Sequence, residues 1–435
     1  MTRFHLRATA YTAGGMFVDG YILGVIGFAL DGATPELGLS SWWTGLLGGA
    51  ALAGIFLGSL IAGWITDRVG RQKMLVGDLS LFIVLSIAQL FVANAEQLLV
   101  LRLLIGIAIG ADYAIGAALL SEIAPRRQRG GLLASLNAVW TFGFVAALTV
   151  GAVFANYAPD QWRWLLASSA LPAAAVLALR LGTPESPRWL VAKGRLEEAR
   201  QVVAKYWGSE YGIDDLVGST SGELARYKTL FSRRYRTRTA FAALFWFCQV
   251  VPYFALFTFL PQVLTTFGLS GFVGEISSNL FLLLGAIVGV VIMDRISRRR
   301  FVIWSFAVLA VALGLLGVIA NPPPLLVVVC FAVFAAVVTA AGNLETVYPS
   351  EIFPTEVRSS GVGLAAAVSR VGAAVGTFLL PTAIEGIGTG PTMLIATSVL
   401  LLGLVTSWAW APETRHLSLA RSSAAEAPVK SRATP

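Results

Sequence analysis

Apolar residues form long runs in this chain, separated by short polar segments. A helix needs about 20 mainly apolar residues to cross a bilayer, and twelve runs meet that length. We number them spans 1 to 12, at residues 10–31, 44–66, 75–94, 98–123, 132–157, 162–182, 238–266, 273–294, 301–320, 324–347, 360–385 and 390–411. The pattern predicts an all-α polytopic membrane protein with 12 transmembrane helices.

Basic residues alternate between the two sides of the predicted spans. Of the 32 Lys and Arg residues, all but Arg102, Arg163, Arg180 and Arg370 lie in the N-terminus, every second loop or the tail. Because such an excess marks the cytoplasmic side of a membrane, we predict that both termini are cytoplasmic. The expected location is the inner (plasma) membrane.

The composition supports a membrane protein and excludes other classes. Hydrophobic residues make up 56% of the chain and charged residues only 13%, against about 25% charged in typical soluble domains. His5 and His416 are the two histidines, and the predicted spans hold no metal-binding, nucleophile or phosphate-loop motif. We therefore expect a non-enzymatic monomer in the lipid bilayer, without cofactor, metal or nucleic acid.

Short charged motifs recur in the same order about 228 residues apart. The repeated residues are Asp67, Arg68 and Arg71 with Asp294, Arg295 and Arg298; Glu122 and Arg129 with Glu351 and Arg358; and Glu185 with Glu413. The repeat predicts two six-helix pseudo-symmetric halves in the same orientation. Such halves place a binding site near the bilayer midplane, between them.

The repeat divides the chain into four parts. They are an N-terminal bundle (1–182), a cytoplasmic connector with helices (183–237), a C-terminal bundle (238–411) and a cytoplasmic tail (412–435). Glycines four apart, which let helices approach closely, occur in spans 2, 5, 8 and 11. Examples are Gly54 with Gly58 and Gly285 with Gly289. From these pairs we predict that the four spans form the contact between the halves.

Several loop motifs carry a family resemblance. GWITDRVGRQK (63–73) resembles the loop signature of the major facilitator superfamily, while PESPRWLVAKGR (184–195) and SEIFPTEVRSSG (350–361) are similar to sugar-porter signatures. Span 4 resembles that of sugar and metabolite:proton symporters. The resemblance covers about residues 10–415. It implies the fold of the superfamily (MFS) and a secondary transporter that works by alternating access.

The chain departs from the sugar-porter pattern in two spans. Proton-coupled sugar porters carry an Asp just after a Gly-Tyr pair in span 1, where this chain has Ile22 and places Asp19 before the pair. The stretch WFCQVVPYF (246–254) of span 7 has one glutamine, Gln249, where the sugar-porter motif has a pair. Ala111-Asp112-Tyr113 instead resembles an element of phosphate and organic-acid symporters. The resemblance therefore assigns neither a hexose substrate nor the coupling residue.

Two carboxyl groups at bilayer depth are candidates for proton coupling. Asp19 and Asp112 lie inside spans 1 and 4, where a charge costs about 2.5–3.5 kcal/mol on insertion scales. A carboxylate that alternates between a desolvated and a cation-paired state can bind and release a proton. The alternative is an Asp that only forms a hydrogen bond between helices.

The substrate candidates are embedded cations, amides and aromatic groups. The residues are Arg102, Tyr113, Trp140, Trp246, Gln249, Tyr253, Asn343 and Arg370. A buried guanidinium needs a carboxylate or phosphate partner, which for Arg370 could be Asp19, Asp112 or an anionic substrate; Arg102 could instead snorkel to the interface. We predict proton symport of a small organic acid. The alternatives are a sugar or polyol transporter, a passive uniporter or a non-translocating sensor.

The repeated charges on the basic side form the last predicted site. They are Asp67, Arg68, Arg71, Glu122, Arg129, Glu185, Arg188, Asp294, Arg295, Arg298, Glu351, Arg358 and Glu413. The family resemblance implies that acids and bases of the two halves pair here and close a cytoplasmic gate. The alternative is that these charges only set topology and solubility.

Overall fold

A computed structural model describes residues 3–123, 129–206, 227–268, 272–293, 295–353 and 357–414. Every regular element in these ranges is helical. Eight spans are single helices: Ser41–Val69, Arg71–Ala88, Ala95–Ile123 and Arg129–Tyr157 for spans 2 to 5, and Phe272–Met293, Arg298–Val318, Arg358–Ile387 and Thr389–Trp410 for spans 8, 9, 11 and 12.

The other four spans each consist of two helices. They are Arg3–Gly24 and Ile26–Leu37 in span 1, Trp162–Ala167 and Ala170–Arg180 in span 6, Arg236–Thr258 and Leu260–Thr266 in span 7, and Pro324–Gly342 and Leu344–Ile352 in span 10. A break leaves backbone groups without partners inside the helix. Within a membrane such groups are tolerated where they are buried in protein or line a cavity. The connector adds the helices Pro187–Ala192 and Leu196–Tyr206.

All twelve predicted positions are helical. Ten of the described helical segments are long and apolar enough to cross a membrane. The other two predicted spans, 4 and 8, correspond to Ala95–Ile123 and Phe272–Met293, and each is helical over its described residues. The hydropathy pattern thus located every span, although it did not locate the four breaks.

Helix packing repeats in the two halves. Span 1 packs on span 5, span 2 on span 4 and span 3 on span 6 in the first half. In the second half, span 7 packs on span 11, span 8 on span 10 and span 9 on span 12. Adding six to each member of the first set gives the second, so the sequence repeat has a structural counterpart.

The prediction that spans 2, 5, 8 and 11 form the contact between the halves is confirmed, because span 2 packs on span 11 and span 5 packs on span 8. The paired glycines themselves, however, join helices within each half. A Cβ on Gly58 would lie 2.0 Å from the Ile107 carbonyl oxygen of span 4. Its counterpart Gly285 would place a Cβ 2.1 Å from the Ala336 carbonyl oxygen of span 10. The spacing predicts a close approach, but it does not specify which neighbouring helix approaches.

The two halves meet through other residues at the end remote from the basic loops, which we call the opposite end. Gly27 of span 1 lies against the Thr258 carbonyl of span 7, and Gly45 of span 2 lies against the Phe378 carbonyl of span 11. Between the same halves, Gln262 Nε2 donates to Asp31 Oδ1 at 2.7 Å. The opposite end is therefore held closed by direct contacts between the halves.

Replacement of Gly45 by valine should open the opposite end. A Cβ at Gly45 would lie 2.1 Å from the Phe378 carbonyl oxygen, and overpacking of this kind costs about 1–3 kcal/mol. Spin labels at Tyr157→Cys and Ile387→Cys, in a background lacking the two buried native cysteines, should report a longer distance in the Gly45→Val protein.

The matched control is Gly386→Val in span 11, because a Cβ at Gly386 meets nothing within 4 Å. The control should leave the label distance unchanged. Equal distances in both variants and the unsubstituted background would contradict the role of Gly45 in closure.

Candidate functional site

An ion pair lies inside the first half. Arg180, the last residue of the span 6 helix, directs Nη2 to Asp112 Oδ1 of span 4 at 3.2 Å, and both side chains are 0% exposed. Arg180 also donates to the carbonyl oxygens of Leu75 in span 3 at 2.9 Å and Tyr11 in span 1 at 3.3 Å. One guanidinium thus connects spans 1, 3, 4 and 6.

Gly15 makes the space for this ion pair. A Cβ on Gly15 would lie 2.5 Å from Asp112 Oδ2 and 2.6 Å from Arg180 Nη2. The position on span 1 that faces the pair therefore needs a residue without a side chain. Any larger residue would displace one of the two charged groups.

Two further carboxyl groups share the space around the ion pair. The side chains of Asp19 and Asp112 lie within hydrogen-bonding range of each other, and Asp78 of span 3 interacts electrostatically with Asp112 and Arg180. No donor among the described residues reaches either oxygen of Asp19. Two carboxyl groups can hydrogen-bond only if one of them carries a proton. We call Asp19, Asp78, Asp112 and Arg180 the acid cluster.

The expected partners of the embedded charges need correction. Asp112 pairs with Arg180, not with Arg370 or Arg102. Arg102 does not snorkel, because it is 1% exposed and donates from Nη1 to the Ile22 carbonyl at 3.2 Å. That carbonyl lies in the last turn before the break in span 1, where carbonyls lack partners within the helix. Arg102 thus stabilises the break.

A second group of side chains lies where the two halves meet at mid-membrane. Arg370 of span 11 stacks on Tyr113 of span 4 at 5.3 Å and on Phe254 of span 7 at 5.7 Å. Among the described side chains, no carboxylate oxygen comes within 4.0 Å of its guanidinium. Aromatic faces therefore hold Arg370, and the Glu345 carboxyl interacts with it electrostatically without a described ion pair, so the guanidinium can still bind an anion.

Aromatic rings from both halves form a wall beside Arg370. Trp140 of span 5 stacks on Phe144 at 5.3 Å and meets Phe254 edge-to-face at 6.0 Å. Tyr253 meets Phe254 at 5.1 Å. The Tyr253 hydroxyl has no hydrogen-bond partner among the described residues, and the Trp140 indole N–H lies close to the Tyr113 hydroxyl. The wall thus offers a flat apolar surface with polar atoms at its edge.

Amide groups complete this site. Asn137 Nδ2 of span 5 donates to Asn343 Oδ1 of span 10 at 3.4 Å, across the halves. Gln249 Nε2 donates to the Val338 carbonyl at 3.2 Å, and its Oε1 has no partner among the described atoms. A Cβ on Gly342 would lie within 4.0 Å of Gln249, Asn137 and Glu345. The amides and the Glu345 carboxyl therefore converge on one point.

We call this group the central site. It contains Tyr113, Asn137, Trp140, Trp246, Gln249, Tyr253, Asn343, Glu345 and Arg370. The structure brings together seven of the eight predicted substrate residues, and Arg102 has no described contact with them. Sequence reasoning missed Asn137 and Glu345, as it missed Asp78 and Arg180 in the acid cluster. The sequence did mark Asp78, Arg180 and Glu345 as candidates, because each is a charged residue inside a predicted span.

The repeated charges at the basic end form matching helix caps in the two halves. Glu185 accepts hydrogen bonds from the backbone N–H groups of Arg71 and Gln72, each at 2.9 Å, at the start of span 3. Its counterpart Glu413 accepts from the Arg298 backbone N–H at 3.2 Å and from the Ser297 hydroxyl at the start of span 9. A carboxylate is stabilised at this positive end of a helix.

The described charge pairs at the basic end lie within one half. Arg298 and Glu351, at 3.6 Å, both belong to the second half, and Arg68 and Arg295 are exposed. The side chains of Asp67, Glu122, Arg129, Arg188 and Arg358, and all of Asp294, lie outside the described residues. A gate formed by pairs between the halves therefore stays a prediction.

Removal of Arg180 should destabilise the protein. Arg180→Gln leaves buried carboxyl groups without their counter-charge, and breaking a buried pair on one side costs about 3–5 kcal/mol. The second substitution Asp112→Asn should restore part of the loss, because it removes one of the unpaired charges. Thermal unfolding of the purified single and double variants in detergent measures this coupling. Additive losses would contradict the pairing.

Comparisons with known proteins place the chain in a family. Residues 5–425 match the family model described as sugar (and other) transporter. The inner membrane metabolite transport protein YgcS of Escherichia coli (strain K12) is 44% identical, over 96% of this chain and 94% of that protein. The gallate transporter of Pseudomonas putida is 31% identical, over 89% of this chain and 86% of that protein.

A solved structure shows the same fold. The xylose transporter XylE from E. coli, in a partially occluded inward open conformation, matches with a TM-score of 0.83 and 20% sequence identity, over 96% of this chain and 100% of that chain. The predicted all-α fold and the predicted superfamily are confirmed. The chain belongs to the sugar (and other) transporter family and is a multi-pass membrane transporter with the MFS fold.

Proposed function

We propose that the protein is a secondary active transporter that moves a small organic acid together with protons by alternating access. The basic end faces the cytoplasm, both termini lie there, and the membrane is the bacterial inner membrane, as the name of the 44% identical relative states for that protein. The observation that carries the substrate class is Arg370, a cation between the halves that stacks on aromatic rings and forms no ion pair within 4.0 Å with a described carboxylate, although Glu345 interacts with it electrostatically.

The environment of Arg370 suits a carboxylate. Its guanidinium is planar and can donate two parallel hydrogen bonds to one carboxylate. The rings of Tyr113 and Phe254 hold the guanidinium without using its in-plane N–H donors. Arg180 differs, because its Nη1 and Nη2 groups donate to Leu75, Tyr11 and Asp112. Arg370 is therefore the cation placed for a substrate, and Arg180 is an internal one.

A relative supports the same substrate class. The 31% identical Pseudomonas putida protein is named as a gallate transporter, and gallate combines an aromatic ring with a carboxylate. The aromatic wall of Trp140, Tyr253 and Phe254 suits a flat ring, and Arg370 suits the carboxylate. A sugar or polyol is the second candidate, favoured by the amides Gln249 and Asn343 and by the xylose transporter fold.

Proton coupling is supported by the position of the acid cluster beside the central site. Tyr113 follows Asp112 directly in span 4 and interacts electrostatically with Asp19, Asp112 and Arg370. A change in the charge of Asp19 or Asp112 therefore acts on Tyr113, which stacks on Arg370, the proposed substrate-binding arginine. The carboxyl contact between Asp19 and Asp112 supplies a proton-binding position. A passive uniporter has no use for such a contact.

Loss of Arg370 should weaken recognition of carboxylates. Arg370→Gln removes the charge but keeps a polar side chain, so stabilisation by organic acids should fall by at least about tenfold in apparent affinity, or about 1.4 kcal/mol. The measurement is a thermal-shift titration in detergent with organic acids, aromatic acids, sugars and polyols, at pH 5.5 and 7.5. A ligand that binds only the folded protein raises its melting temperature.

The control is Arg300→Gln, an exposed arginine of the same half, which should respond like the unsubstituted protein. Stabilisation by sugars alone, unchanged in Arg370→Gln, would favour the second candidate and reject the organic acid.

Loss of Asp19 should uncouple transport from protons. In proteoliposomes with an imposed pH gradient, the Asp19→Asn protein should accumulate at least about tenfold less substrate than the unsubstituted protein. The reason is that Asp112 can no longer share a proton with a second carboxyl group. Exchange of labelled for unlabelled substrate should continue, because that reaction needs no net proton movement.

Asp160→Asn, an exposed acid at the opposite end, is the matched control and should still follow the gradient. Coupling would be refuted by unsubstituted protein whose uptake ignores the pH gradient for every accepted substrate.

A further inference from the structure

We infer that the acid cluster carries two protons in each transport cycle and that Asp78 holds the second one. This inference rests on the proposed proton symport. The members come from four spans of the first half: Asp19 from span 1, Asp78 from span 3, Asp112 from span 4 and Arg180 from span 6. All four are at most 7% exposed, so bulk water does not screen their charges.

The count of buried charges requires two protons. Three carboxyl groups surround one guanidinium, and a buried charge without a counter-charge is strongly unfavourable. Arg180 neutralises one carboxylate, Asp112, with which it forms the 3.2 Å pair. The carboxyl contact between Asp19 and Asp112 needs a proton. The Asp78 carboxylate is then the one negative charge of the cluster that remains without a counter-charge. The cluster is neutral only when Asp78 is also protonated.

The contacts of Asp78 support this count. One of its oxygens, Oδ2, is buried and has no hydrogen-bond partner among the described residues. A carboxylate with an unpaired buried oxygen pays the desolvation cost without compensation. Among the described residues, two further titratable groups face the cluster. They are Tyr11 on span 1, whose ring lies 5.7 Å from the Arg180 guanidinium, and Tyr113 on span 4, which interacts electrostatically with Asp19 and Asp112.

The acids are arranged by depth from the basic end. Asp78 lies seven residues into the span 3 helix and Asp112 lies eleven residues from the end of span 4. At 1.5 Å per residue these positions are about 10 Å and about 16 Å deep. Asp78 is therefore the acid of this pair nearer the basic end.

A polar side chain extends the cluster beyond Asp78. Gln72 of span 3 donates from Nε2 to the Arg180 carbonyl at 3.0 Å, and its buried Oε1 has no partner among the described atoms. The adjoining backbone N–H groups of Arg71 and Gln72 bind Glu185. Gln72 therefore places a buried polar side chain between the backbone of Arg180 and the basic end.

The test is the number of protons moved per substrate. Proteoliposomes are loaded to a set substrate gradient, the membrane potential is clamped at zero, and the pH gradient that stops net flux is measured. If two protons move with each substrate, a pH gradient of one unit balances a substrate gradient of about 100-fold. If one proton moves, the same pH gradient balances about tenfold, since each factor of ten is about 1.4 kcal/mol. The unsubstituted protein should reach the higher value, and Asp78→Asn the lower one.

Two further variants make the result decisive. Asp78→Glu keeps a titratable group and should retain the higher value, which a merely structural role for Asp78 would not require. Asp160→Asn, exposed at the opposite end, should also retain it.

Each other outcome counts against the inference. It is overturned if Asp78→Asn keeps the value of the unsubstituted protein, or if the unsubstituted protein itself balances only tenfold. If no pH gradient changes the flux of the unsubstituted protein, the proposed symport fails together with the inference. An Asp78→Asn protein that does not fold is replaced by Asp78→Ser, for which the same lower value is expected.

Discussion

A single buried guanidinium, that of Arg180, holds together the part of the protein on which the transport account depends. It binds Asp112 of span 4 and the backbone carbonyls of spans 1 and 3, and Gly15 makes space for it. A charge in the membrane interior is stable only with such partners. Because Arg180 lies on span 6 and its partners lie on spans 1, 3 and 4, these four spans are held in one arrangement, and the first half is expected to move as a rigid body.

The two halves share a scaffold but not its chemistry. An offset of 228 residues carries Asp19, Asp78, Asp112 and Arg180 to Phe247, Phe306, Ala340 and Trp408. The helix caps, in contrast, are kept, since Glu185 and Glu413 bind the starts of spans 3 and 9. The acid cluster is therefore confined to the first half. The second half supplies Arg370, Gln249 and Glu345 to the central site.

The sequence was sufficient to predict the spans, the repeat and the family, because long apolar runs and loop motifs do not depend on packing. It was not sufficient to predict the partner of Asp112, because that partner follows from how spans 4 and 6 pack. The paired glycines were misassigned for the same reason, since Gly58 can approach any neighbouring helix. Asp78, Arg180 and Glu345 were overlooked because they lie near the predicted ends of their spans.

The central claim is that substrate binding between the halves is coupled to protonation inside the first half. The most direct test adds a saturating organic acid to the purified protein in weakly buffered detergent solution and records proton exchange with a pH indicator. The account predicts that protons are exchanged with the solution on binding and that Asp19→Asn reduces the number exchanged. Binding of the same acid with no proton exchange between pH 5.5 and 7.5 would contradict it.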